Sequence, residues 1–199
     1  MAGRKRREQS ESLAVRAARE RERHVAQVTA YGFFPARGPR RSATVTPAPL
    51  HYWQYNPART WLVVAAVLFV AGWLALFAWA GGSTAVVDEV PLAVTLGVAV
   101  LVLSTGRLTV SDSGLSFDIA GLRRTSSLHV VAGSLVREVR RGAPPAGWPK
   151  TRRRGGWWPG RTKVAVRHLA ADGGEERAFT VWVREPAAFA GALGHDLAR

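Results

Sequence analysis

A helical membrane hairpin followed by a small α+β domain is the fold class this sequence predicts. Residues 61 to 80 contain no charge and no proline, and a helix of that length spans about 30 Å, the thickness of a bilayer's hydrocarbon core. A second apolar run from Val90 to Thr105 follows the break at Gly81-Gly82-Ser83. From Arg107 onward the pattern changes to the two-residue alternation of strands, and the chain ends in one short amphipathic segment.

Residues 1–34 form a basic arm that opens with Arg4-Lys5-Arg6-Arg7 and continues through alternating charges such as Arg19-Glu20-Arg21-Glu22-Arg23. Its apolar positions, Leu13, Val15, Val25 and Val28, make too narrow a stripe for a stable buried helix without a partner, so the arm is expected to be helical or disordered. Residues 35–60 hold Pro35, Pro39, Pro47 and Pro49, which mark a linker. At its end Tyr52, Trp53, Tyr55, Arg59 and Trp61 are expected to form an interfacial belt, with aromatic rings at headgroup level and Arg59 snorkelling.

The two apolar runs are read as transmembrane helices over 61–80 and 90–105. The second reaches only about 24 Å unless it extends back through Val86, and Pro91 suits its first turn. Ala65, Gly72 and Ala75 on one helix and Ala93, Gly97 and Ala99 on the other would permit close approach. Residues 1–60 hold 12 basic and 4 acidic residues, 81–90 hold only Asp88 and Glu89, and 105–199 hold 16 basic and 8 acidic. By the positive-inside rule both termini are cytoplasmic and the acidic connector lies across the membrane. The expected location is therefore the cytoplasmic membrane, spanned twice. The apolar run is too long and too far along the chain for a cleaved signal. The absence of cysteine excludes disulfides, thiolate catalysis and Cys-ligated metals.

In the domain expected over 107–199, Leu108 and Val110 precede the turn Ser111-Asp112-Ser113-Gly114, after which Leu115, Phe117 and Ile119 alternate with Ser116 and Asp118. Further strands are expected over 122–130, 135–139, 163–169 and 177–184, with Asp172-Gly173-Gly174 turning between the last two. Pro186 starts a helix on which Phe189, Ala190, Leu193 and Leu197 share one face. This order, with the segments Leu-Thr-Val-Ser-Asp-Ser-Gly-Leu-Ser-Phe, Gly155-Gly156-Trp157-Trp158 and Phe-Thr-Val-Trp-Val-Arg-Glu-Pro, resembles bacterial two-helix membrane proteins that carry a C-terminal pleckstrin-homology-like (PH-like) domain. The Arg-, Ala-, Gly- and Val-rich composition is similar to that of actinobacterial proteins. The resemblance covers residues 61–199 and implies an antiparallel bent sheet capped by the last helix, serving as an interaction or anchoring module. A long insertion at 140–161 and the N-terminal arm depart from it.

That insertion carries the strongest functional signal. Between Glu138 and Asp172 no acid interrupts Arg140, Arg141, Lys150, Arg152, Arg153, Arg154, Arg161 and Lys163, and Trp148, Trp157 and Trp158 are interleaved with them. Proline and glycine make residues 140–163 a loop. Beside a cytoplasmic leaflet each such cation contributes about 1 kcal/mol against anionic lipid. The ten residues Arg140, Arg141, Lys150, Arg152, Arg153, Arg154, Trp157, Trp158, Arg161 and Lys163 are thus candidates for lipid or partner contact, unless the tryptophans fold back over an open end of the sheet.

Catalytic residues, cofactors and metals are not expected. His24, His51, His129, His168 and His195 lack ligand spacing, and no phosphate-cradling glycine loop or nucleophile elbow is present. The function read from the sequence is a membrane-anchored adaptor, scaffold or accessory subunit, with the membrane, anionic lipid and a protein as partners. The alternative is a membrane-tethered nucleic-acid or ribosome contact made by the arm and the loop.

Overall fold

The aromatic segment before the first apolar run is a strand. In the computed structural model, which describes residues 2–32, 37–40, 47–120, 130–172 and 174–198 with side chains from residue 13 onward, Tyr52–Asn56 forms β1 and alternates buried and outward residues. It pairs antiparallel with β2 (Gly106–Ser111), Asn56 opposite Gly106. β2 continues through the two-residue turn Asp112-Ser113 into β3 (Gly114–Ile119), with Ser111 opposite Gly114, and β4 (Val131–Ala132) completes this first sheet. The turn and both of its strands follow the sequence expectation. The strand expected over 122–130 lies outside the described residues except for Val130.

A 3-10 turn, Gly133–Leu135, leads to β5 (Val136–Arg141) of the second sheet. This sheet also holds β6 (Thr151–Arg154), β7 (Thr162–Leu169), β8 (Glu176–Val183) and β9 (Leu197–Ala198), in the order β6-β8-β7-β5-β9. The β5–β7 and β7–β8 pairings are antiparallel, and the β6–β8 and β5–β9 pairings parallel. β6 corrects the reading of residues 140–163 as one loop. Arg140 and Arg141 belong to β5, and Arg152 to Arg154 pair beside β8, because an available sheet edge satisfies backbone groups that a loop leaves to water.

Leu108, Val110 and Leu115 from the first sheet meet Val139, Val164, Val166, Phe179, Val181 and Val183 from the second in one core. Each of these fully buried side chains contributes roughly 1.5–3 kcal/mol. Helix α3 (Pro186–Ala192) closes the core with Phe189 and Ala190, and Tyr52 meets Phe189 edge-on, with 5.5 Å between ring centres. α3 ends sooner than expected. Gly194 takes φ +71°, a left-handed conformation favoured by glycine at helix ends, so Leu197 lies on β9 and not on the helix face.

Between paired strands β1 and β2 the chain makes α2 (Thr60–Leu103), broken at Gly82, whose φ of 72° and ψ of −163° are not helical. This element is long and apolar enough to cross a membrane. Its two limbs fold alongside one another. A Cβ on Gly97 would lie 2.8 Å from a Val70 methyl, and the Trp73 indole N–H donates to Glu89 at 3.0 Å, whereas in a straight helix residues 70 and 97 would be about 40 Å apart. Ala66, Ala93 and Gly97 are the buried small residues. Ala65, Gly72 and Ala75 of the expected set, and Ala99, face outward. The second limb begins just after Gly82, so Asp88 and Glu89 are helical and not part of a connector.

Helix α1 (Ala2–Tyr31) has a partner after all. Ala17, His24 and Val28 are fully buried, and the helix lies across β2, β3, β4 and the 3-10 turn. The face of the first sheet that it covers is polar. Arg107, Thr109, Ser111, Ser116 and Asp118 are all buried there. His24 Nδ1 pairs with Ser111 Oγ at 2.7 Å, the Ser134 N–H donates to Glu20 at 3.0 Å, and Arg107 binds Asp118 at 2.9 Å while donating to the Gly32 carbonyl.

Candidate functional site

The end of the domain nearest α2 is held by a polar ladder along the inner face of β1. The Tyr52 hydroxyl donates to Gln54 Oε1 at 2.7 Å, which also accepts the Arg184 backbone N–H at 2.9 Å. Gln54 Nε2 donates to Asn56 Oδ1 at 2.7 Å and to the Trp182 carbonyl at 2.6 Å. Arg161 donates to Asn56 Oδ1 and, at 2.6 Å, to the Tyr55 carbonyl. Burial, reinforced by Arg184, lowers the Arg161 pKa. These bonds tie the edge of the first sheet to the end of β8, because polar groups removed from water must find partners.

The ladder brings the segment after β6 against the start of α2. Gly155 takes φ +75° with its Cα facing Asn56, and a Cβ on Gly156 would lie 3.0 Å from the Ala58 carbonyl. Two glycines are needed for so close an approach. The result is a pocket of about 390 Å³ in which Arg59, Arg153 and Lys163 supply positive charge and Trp61, Trp157 and Trp182 supply rings. Arg59, Trp61 and Gly155 are shared with a neighbouring apolar groove of about 290 Å³ lined by Leu62, Phe117 and Ile119. Cations, indoles and an apolar groove thus lie together at the foot of an apolar helix.

Strand pairing divides the expected basic cluster. Arg152 and Arg154 stand opposite Phe179 and Val181, whereas Arg153 stands opposite Thr180 on the other face. Only Arg153, Trp157 and Lys163 of the ten candidates line the pocket beside α2. Lys150, Arg152 and Arg154 line a separate cleft, with the Arg154 guanidinium 4.8 Å from the centre of the Phe179 ring and its pKa lowered by burial and by Arg152. Arg161 braces β1, and Arg140 and Arg141 lie along β5.

Trp157 and Trp158 are 58% and 53% exposed, so they do not cover the sheet end. Trp148 is half-buried beneath the Arg167 guanidinium. Among the expected belt residues, Arg59 and Trp61 stay at the start of α2 and Trp61 is exposed. Tyr52, Trp53 and Tyr55 are corrected to strand positions. Tyr52 is core, and Trp53 and Tyr55 share the opposite face of β1, with 5.5 Å between ring centres. Trp182, Phe117 and Ile119 were not anticipated at the site, since their place depends on how β3 and β8 end.

Among the described residues no group of three His, Asp or Glu side chains is placed to hold a metal ion. No family model, curated protein or solved structure matches this chain.

Proposed function

We propose that the chain is a membrane-anchored adaptor whose PH-like domain is held against the cytoplasmic face of the membrane and oriented there by anionic lipid. The observation that carries this reading is the insertion of α2 between two paired strands. Only residues 57–59 and 104–105 separate β1 and β2 from the apolar limbs, which supports a bilayer around α2 lying beside the pocket of Arg59, Arg153, Lys163, Trp61 and Trp157. The fold-back at Gly82 supports two passes, and the two sheets closed by α3 support the PH-like reading. Tethering already holds the domain at the surface, so the cations set orientation more than affinity.

The lipid contact is tested with the full chain in nanodiscs of neutral or anionic lipid carrying brominated acyl chains. Quenching of Trp157 and Trp158, taken as the difference between the wild type and a Trp157→Phe/Trp158→Phe form, is expected to be greater in anionic lipid. It should fall with added salt and on Arg153→Glu/Lys163→Glu substitution. Equal quenching in both lipids would reject orientation by anionic lipid.

Topology is read separately, because a chain without cysteine accepts single-cysteine labelling cleanly. Ser83→Cys at the break of α2 is expected to react with an impermeant thiol reagent outside intact cells, and Ala171→Cys only after lysis. The reverse pattern would place the domain on the outer face.

A further inference from the structure

We propose that the cleft at the end of the domain remote from α2 seats an acidic, partly apolar peptide segment of a partner protein. The inference deepens the adaptor reading by naming the partner's chemistry, and it stands on a different surface from the lipid contact. β8 runs from Glu176 to Val183 and ends beside β1 and the start of α2, so its beginning lies about 23 Å away along the strand. The cleft of about 590 Å³ sits at that beginning, where residues 175–179 meet residues 168–171 at the end of β7. A bilayer around α2 does not reach it, but a protein in the surrounding solution does.

Its rim is basic. Arg21 from α1, Lys150 just before β6, Arg152 and Arg154 from β6, and Arg177 from β8 all line it. Two acids, Glu175 and Glu176, lie on the same rim, but Glu175 is bound by Arg177 at 2.8 Å and Glu176 faces Arg167 at 3.5 Å. The cleft therefore keeps a positive balance. Its floor is apolar, offered by Pro149 and the exposed Ala171, with Val131, Leu135 and Phe179 buried beneath and the Arg154 guanidinium over the Phe179 ring.

A free phosphate or a nucleic-acid backbone would use the cations and leave that floor unpaired. A short peptide alternating acidic and apolar residues uses both, and the volume lies within the range that holds a few side chains. Charge complementarity of this kind selects the partner and speeds encounter.

The experiment measures a fluorescein-labelled peptide in which Glu alternates with Leu binding to the full chain in neutral-lipid nanodiscs, where the anionic-lipid contact is absent. Saturable binding is expected, at least about tenfold tighter than for the same peptide with Gln in place of Glu. The exposed pair Lys150→Glu/Arg152→Glu should abolish it, while Arg141→Glu, exposed at the end of β5 and outside both pockets, leaves it unchanged. Unchanged melting of both variants confirms that the fold is retained. Absence of saturable binding, equal binding of the Gln peptide, equal loss in the Arg141→Glu form, or displacement by a uridine oligonucleotide in preference to excess Glu peptide would each overturn the proposal. None of these outcomes depends on the lipid test, so the two readings fail separately.

Discussion

Replacing Arg107 with Ala is expected to lower the stability of the domain by about 3–5 kcal/mol, the cost of leaving one charge of a buried pair without its partner. Arg107 and Asp118 are 3% and 7% exposed, their side chains meet at 2.9 Å, and α1 covers them from water. Arg107 also donates to the carbonyl of Gly32, just beyond the end of α1, so the substitution should loosen that helix first. Urea unfolding of the detergent-solubilised chain measures the loss, and faster amide exchange over residues 13–31 locates it. The double substitution Arg107→Met/Asp118→Leu removes both charges and should recover most of the stability. A single-variant loss below about 1 kcal/mol would show that the pair is solvated and that α1 does not seal it.

Acidification from pH 7 to pH 4 is expected to destabilise the same interface by about 3 kcal/mol through His24. Burial pushes this imidazole down to about 4, with Asp118 acting to raise it and Arg107 to lower it. The unfolded histidine titrates at its ordinary value near 6.5. Between those values the unfolded chain binds a proton that the folded chain does not, so stability falls as pH falls through the window. Above the upper value both states are neutral and the contribution is flat. Melting temperature followed across this range should slope more steeply for the wild type than for His24→Gln, in which His168, also lowered by burial, keeps part of the slope. Parallel curves would show that His24 is not buried in the folded chain.

These two residues also show where sequence reading stopped. The alternation of Leu115, Phe117 and Ile119 with Ser116 and Asp118 located a strand with one apolar face, and that strand exists. The same alternation says nothing of what covers the polar face, and α1 buries it. The helix that does so presents Ala17 and His24 with Val28, residues too small or too polar to register as an apolar stripe. Its docking depends on hydrogen bonds to residues roughly ninety positions away, such as His24 with Ser111, which no local pattern records.

The candidate site divides in the same manner. Charge and tryptophan content between residues 140 and 163 were legible, as was the position of Arg59 and Trp61 at the start of an apolar helix. Which arginines act together was not, because β6 forms only when β8 offers an edge, and strand alternation then sends Arg152 and Arg154 to one face and Arg153 to the other.

The sequence by itself determined the local features. Hydrophobic length gave two apolar runs, 61–80 and 90–105, which α2 joins into one element broken at Gly82; turn chemistry gave the Asp112-Ser113 hairpin, and two-residue alternation gave β2, β3, β7 and β8. Tertiary structure alone decided that β1 lies before the apolar limbs and pairs with the strand after them, since a five-residue strand such as Tyr52–Asn56 has no stability of its own and is defined by its neighbour. That pairing makes the apolar element α2 an insertion within the domain and places the cationic pocket at its foot.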